Sequence, residues 1–152
     1  MANPFVPLKL PPLMLNLLPY ILIIDDDEDD LEILSSSLKL LGLNIKIFNA
    51  GDKALAYLNS KIGALPILII LDYNMPRING EQVLLLLKSN AYTRNIPVIM
   101  YSTTMSSIFE HAIIDMGAIA CFTKPSSYSD FKKQAGLFRD LAVSFTPVTL
   151  MN

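Results

Sequence analysis

Residues 67–75 read Ile-Leu-Ile-Ile-Leu-Asp-Tyr-Asn-Met. An unbroken apolar run, rich in β-branched residues, enters an aspartate and then a turn-forming Asn-Met-Pro. That order predicts a strand buried on both faces and ending at Asp72. In open α/β sheets the carboxyl edge of the strands is where ligands bind, because loops diverge there and helix N-termini point into the crevice. The remaining polar groups of the chain are therefore placed by their relation to Asp72.

Outward from this run, four similar ones recur at Tyr20–Ile24, Ile45–Phe48, Val98–Tyr101 and Ile119–Phe122. The intervals between successive runs, 20, 18, 26 and 17 residues, are each long enough for the helical crossover that parallel strands require. The pattern predicts a (βα)5 doubly wound parallel sheet. Helical spacing agrees: Leu31, Leu34, Leu38 and Leu41 share one face before Gly42, a C-terminal stop. Val83, Leu84 and Leu87 serve the third helix; Ile108, Ala112 and Met116 serve the fourth, which stops at Gly117. Phe131, Ala135, Phe138 and Ala142 serve the fifth, with Ser127 as its N-cap.

At 152 residues and 16.9 kDa the chain suits one domain, over residues 20–143, and a separate output or DNA-binding module is not expected beside it. Residues 144–152 read as a short tail. Residues 1–19 hold five of the ten prolines and read as an extended arm. Those prolines and Lys9 interrupt its apolar run, which argues against a signal peptide or a membrane span. Apolar residues make up 52% and mean hydropathy is +0.43, which suits a sheet covered on both faces. Net charge is −2, yet seven of the fourteen acids lie between Asp25 and Glu32, and no basic surface argues for nucleic acid. With a single cysteine, Cys121, no internal disulfide can form, so a reducing cytoplasm is the expected location.

The strand ends deliver Asp25 and Asp26, then Asp72, then Ser102 and Thr103, then Lys124. In a sheet of order 2-1-3-4-5 these groups surround Asp72; in order 3-2-1-4-5 Asp72 falls two strands from the acid pair. The second order also wants a glycine-rich first turn, and here that turn is Asp-Asp-Asp-Glu, hostile to a pyrophosphate. Three carboxylates in one pocket repel: two unit charges about 4 Å apart cost roughly 4 kcal/mol at an effective dielectric near 20. A divalent cation resolves that conflict, and an all-oxygen donor set suits Mg²⁺, whereas no Cys/His cluster suggests zinc. An aspartate beside Mg²⁺ can attack phosphorus while a lysine balances charge on the phosphoryl oxygens.

The combination of ILIIDDDEDD, LDYNMPRINGEQVL, IPVIMYSTT and GAIACFTKPSS resembles the receiver domain of two-component response regulators, over roughly residues 20–143. The resemblance implies a flavodoxin-like fold with strand order 2-1-3-4-5. It further implies that Asp72 takes a phosphoryl group from the histidine of a sensor histidine kinase or phosphotransfer protein. Asp26 and Asp72 would bind Mg²⁺ directly, Asp25 through water, and Asn74 through its backbone carbonyl. Ser102 would reach the phosphoryl group, and Lys124 would hold one of its oxygens. Expected partners are the kinase and a downstream protein target, with a phosphorylation-dependent homodimer a further expectation; neither nucleic acid nor membrane is expected. Output would pass through the fourth helix, fifth strand and fifth helix.

Other residues carry plainer readings. Asp27–Asp30 and Glu32 read as first-turn helix residues facing the positive end of the macrodipole. His111, the only histidine, receives no phosphotransfer role, and the seven methionines read as core filler. A degenerate, constitutive binding module would have lost an acid, the acceptor or the lysine, and none is lost. An aspartate-nucleophile phosphatase resembling the haloacid dehalogenase group would want an aspartate at position 74, where Asn74 stands. One position departs from the receiver pattern: three residues before Lys124, where an aromatic is usual, stands Cys121, with Phe122 one place later. A one-residue step reverses the face of a strand side chain, so Phe122 cannot substitute. The expected readout is then the strand-four loop, Thr103 to Ser107, and the fourth helix.

Overall fold

The structure, a computed structural model, describes residues 18–146. Residues 1–17 of the expected arm and 147–152 of the expected tail lie outside the described residues. In chain order the elements are β1 (Tyr20–Ile24), α1 (Glu28–Leu40), β2 (Asn44–Phe48), α2 (Gly51–Asn59), β3 (Leu68–Asp72), α3 (Gly80–Ser89), β4 (Val98–Ser102), α4 (Ser107–Asp115), β5 (Ala120–Thr123) and α5 (Tyr128–Ser144). The five strands pair in parallel in the order β2-β1-β3-β4-β5. This is the expected flavodoxin-like (βα)5 arrangement, with Asp72 on the central strand.

Four of the five strands differ by one residue at a boundary from the apolar runs. β2 begins at Asn44 rather than Ile45, β3 begins at Leu68 rather than Ile67 and ends at Asp72 as expected, β4 extends to Ser102, and β5 is Ala120–Thr123 rather than Ile119–Phe122. The reason is that ladder pairing follows the backbone: Asp72 still pairs with Tyr101, and Ser102 with Thr123, although their side chains are polar.

Alternation along β1, β3 and β4 divides the core into two layers. Leu22, Ile24, Ile69, Leu71 and Met100 pack beneath α2, α3 and α4, against Leu58, Val83, Leu84, Leu87 and Ile113. Ile21, Ile23, Ile70, Ile99 and Tyr101 pack beneath α1 and α5, against Leu34, Leu38, Phe131 and Phe138. Each such aliphatic or aromatic side chain, fully buried, contributes about 1.5–3 kcal/mol relative to exposure.

The helix faces follow the spacing with two corrections. Leu41 is 38% exposed, because it is the C-cap of α1 and the chain has already turned away. The α1 stop itself is a Schellman turn: Leu43 N–H donates to Leu38 O and Gly42 N–H to Lys39 O, with Gly42 at φ 84°. In α4 the expected ridge is displaced by one residue. Ile108 is 84% exposed and Ala112 is exposed, while Phe109 is half-buried and Ile113 is 1% exposed; of the expected ridge only Met116 packs on the core. A nine-residue helix with apolar residues at both 108 and 109 offers two ridges of equal period. Contact decides between them, since the Phe109 ring meets Tyr73 edge-on, with centroids 4.5 Å apart.

Candidate functional site

Parallel pairing brings every strand's carboxyl end to one edge, and the polar residues gather there. Asp25 follows β1 and is 2% exposed; its Oδ1 accepts from Asp27 N–H at 3.0 Å. Asp26, next in the chain, is exposed. Asp72 closes β3 and is 3% exposed. One carboxylate oxygen from each of these three lies within 4.8 Å of the others. Behind them stands Lys124, whose backbone N–H is tied to Ser102 O at 2.8 Å across the β4–β5 pair. Its ammonium lies 2.7 Å from Asp25 Oδ2, 2.8 Å from Asp30 Oδ2 and 3.1 Å from Asp72 Oδ1.

The close approach of α3 to Asp72 depends on Gly80. A Cβ there would sit 2.4 Å from Asp72 O and 2.8 Å from Tyr73 Cα, both backbone atoms. Asn79 caps α3 through a capping box with Gln82, which fixes the helix start beside the acid.

Electrostatics follow from burial. Loss of solvent pushes Asp25 up to about 6, helped by the Asp72 charge and resisted by the Lys124 and Asp27 hydrogen bonds. Burial also raises Asp72, with Asp26 adding to the rise and Lys124 and the Asn74 backbone N–H opposing it. For Lys124 burial alone would favour the neutral amine, but hydrogen bonds to Asp25 and Asp30 outweigh it and hold the ammonium well above its ordinary range. The pocket is thus an acid-rich site with one cation locked into it.

Asp25, Asp26, Asp72 and Lys124 come together as the sequence expects. Ser102 reaches the same edge and is buried, but its hydroxyl donates to Thr104 O at 2.9 Å. Asn74 sits exposed in the loop after β3. Tyr73, Asn74, Ser102, Thr104, Met105, Ser106 and Phe109 line a cleft of about 390 Å³ beside the acids. A larger groove, about 500 Å³, lies at the β2 edge around Glu28, Leu31 and Ile47, away from the lysine. The smaller cleft is the one that adjoins the charged cluster, since Tyr73 and Asn74 of its lining follow Asp72 directly in the chain.

Sequence reasoning missed Asp30 as a contact of Lys124. It lies in the first turn of α1, where Asp27 caps the backbone N–H groups of Asp29 and Asp30. The available signal was geometric: helical side chains lean toward the N-terminus, and here that direction leads back to the strand ends. Cys121 and Phe122 fall on opposite faces as expected. Cys121 packs on the layer beneath α2, α3 and α4, while Phe122 stacks edge-on against Phe138 at 5.1 Å on the other. Burial, with Glu110 assisting, pushes the Cys121 thiol up to about 11.

A family model for the response regulator receiver domain matches residues 21–135. The chain belongs to the response regulator receiver family. The receiver is 33% identical over 105 residues to a transcriptional regulatory protein, the CpxR homolog of Haemophilus influenzae. That match takes in 69% of the receiver but only 43% of the relative, so the chain spans less than half that protein's length. Among solved structures, the phosphorylated cyanobacterial phytochrome response regulator RcpA superposes with a TM-score of 0.78 at 23% identity. The overlap covers 86% of the receiver and 97% of RcpA, a likeness of fold. The Mn²⁺-bound form of response regulator Rcp1 superposes with a TM-score of 0.74 at 25% identity, over 80% of the receiver and 92% of that chain. No helix among the described residues is long and apolar enough to cross a membrane.

The donor set can be weighed for a metal on its own chemistry. Asp25, Asp26 and Asp72 offer only carboxylate oxygens, two of them on buried residues whose charges repel. His111, the one histidine, is exposed on α4 with Nδ1 against Ser107 O at 2.5 Å. Such a set fits a hard, oxygen-seeking divalent cation.

Proposed function

We propose that the receiver takes a phosphoryl group on Asp72 from the phosphohistidine of a sensor histidine kinase or phosphotransfer protein, in a Mg²⁺-dependent reaction. The observation that carries this reading is the Lys124 ammonium in contact with both Asp72 and Asp25 at the edge where Asp26 also converges. An Asp72 carboxylate oxygen forms the new bond to phosphorus, and the phosphorus–nitrogen bond of the donor breaks with its electron pair leaving on the imidazole. Lys124 keeps Asp72 ionised for that attack and then turns an N–H to a phosphoryl oxygen. Ser102 releases Thr104 O and donates to the same group. Asp26, Asp72 and the Asn74 carbonyl would hold the cation directly, and Asp25 would do so through water. When bound, Mg²⁺ supplies neutralisation of the phosphoryl charge. The similar Rcp1 has a Mn²⁺-bound form, which supports a divalent ion here.

The product is a phosphorylated signalling protein rather than a turnover enzyme, working in the cytoplasm and changing its affinity for a protein target or for a second copy of itself. Intact-mass measurement with acetyl phosphate is the test. Wild type is expected to gain one phosphoryl group with Mg²⁺ and none after chelation, and Asp72→Asn none in either case. Persistent labelling of Asp72→Asn would move the acceptor elsewhere.

A further inference from the structure

At Lys124 the ammonium donates hydrogen bonds to Asp25 and Asp30, at 2.7 and 2.8 Å, and forms an ion pair with Asp72 at 3.1 Å. Two of these three carboxylates, Asp25 and Asp72, belong to the group able to hold a cation, and Asp30 does not. Asp30 differs in its support as well. It is the third residue of α1, and its backbone N–H is held by Asp27 Oδ1 at 3.1 Å, so the start of the helix fixes it. A cation drawn between Asp25, Asp26 and Asp72 competes with Lys124 for their oxygens. Transfer of a phosphoryl group then converts the Asp72 carboxylate to an acyl phosphate and removes the charge it offered to the ammonium. Through both events Asp30 keeps its full charge and its place.

We propose that Asp30 is a positioning residue, which tethers the Lys124 ammonium to α1 and keeps it aimed at Asp72 while the other two carboxylates are engaged elsewhere. The inference rests on the phosphoacceptor reading of Asp72 and adds a residue to it. Lysine's four-carbon stem is flexible and its charge is a point with no directional fork, so a fixed partner is what sets its aim. Asp30 touches neither the phosphoryl group nor the donor; it acts through Lys124. Its loss therefore lowers the rate of transfer at saturating donor and leaves donor affinity nearly untouched, because misplacement of an orienting group falls on the transition state.

The experiment follows Asp72 labelling by acetyl phosphate at saturating Mg²⁺, by intact mass, in wild type, Asp30→Asn, Lys124→Met and the double variant. Melting curves confirm that each is folded. Asp30→Asn is expected to cut the limiting rate about tenfold, with donor half-saturation within about twofold. The double variant is expected to be no slower than Lys124→Met alone, a non-additivity that a purely structural role for Asp30 would not produce. A limiting rate in Asp30→Asn equal to wild type overturns the inference. So do losses that multiply in the double variant. Absence of Asp72 labelling in wild type would instead overturn the phosphoacceptor reading itself, and this inference with it.

Discussion

Asp25 is the residue whose environment is most at odds with its charge. Its carboxyl ionises at about 6 in the folded chain, against an ordinary value of 3.8. Between those values the folded state holds a proton that the unfolded state has released, so stability contributed by this group falls as pH rises from about 4 through 6. At pH 7 the ionised carboxylate costs about 3 kcal/mol on this reckoning. Asp25→Asn is therefore expected to raise the metal-free melting temperature at pH 7.5 by about 5 °C or more, with the gain gone near pH 4; calorimetry at both pH values checks it. For the same reason added Mg²⁺ is expected to raise the melting temperature of wild type at pH 7.5 and to lose that effect below about pH 6, where protons compete for Asp25. At this scale much was legible from the chain: Asp25, Asp26, Asp72 and Lys124 each follow an apolar run, and run ends are strand ends. The pairing of Asp30 with Lys124 was not, because 94 residues separate them and only the lean of a helical side chain connects them.

Among the elements, α3 and α4 show how unequal the sequence signals are. Val83, Leu84 and Leu87 in α3 are all buried as their spacing requires, although Leu85 and Leu86 beside them are exposed. In α4 the two neighbouring ridges are both apolar, so periodicity had nothing to choose with. Burial now separates them, and Ile113→Ala is expected to cost about 2–5 kcal/mol in urea denaturation, whereas Ile108→Ala should stay within about 0.5 kcal/mol. A reversed order of the two would return α4 to the ridge of Ile108 and Ala112. Gly80 offers a second test at this scale. Gly80→Ala drives a methyl group against the backbone of Asp72 and Tyr73, which cannot rotate aside, so a loss of about 1–3 kcal/mol is expected together with slower labelling of Asp72. Unchanged stability would mean that α3 can shift outward freely.

For the molecule as a whole, strand order was the feature on which the site depended; the resemblance to receivers supplied 2-1-3-4-5, and that is the order the sheet has. What the chain could not reveal is how a phosphoryl group would be read out, since Cys121 occupies the place where an aromatic ring would swing. The half-buried Phe109, edge-on to Tyr73 at the mouth of the 390 Å³ cleft, places an aromatic on α4 instead. Partner capture with phosphorylated and unphosphorylated protein is expected to differ, and to differ still in Cys121→Ala; loss of the difference in that variant would make Cys121 itself a switching element. That cysteine has one more use. It is the only thiol in the chain, half-buried on β5 and held as the unreactive thiol up to about pH 11. Alkylation at neutral pH is therefore expected to be slow, and its rate to depend on how β5 and its neighbours cover the thiol. The native sequence thus carries a built-in reporter on β5, and the labelling half-time with and without a phosphoryl group would show whether the cover over that edge of the sheet changes.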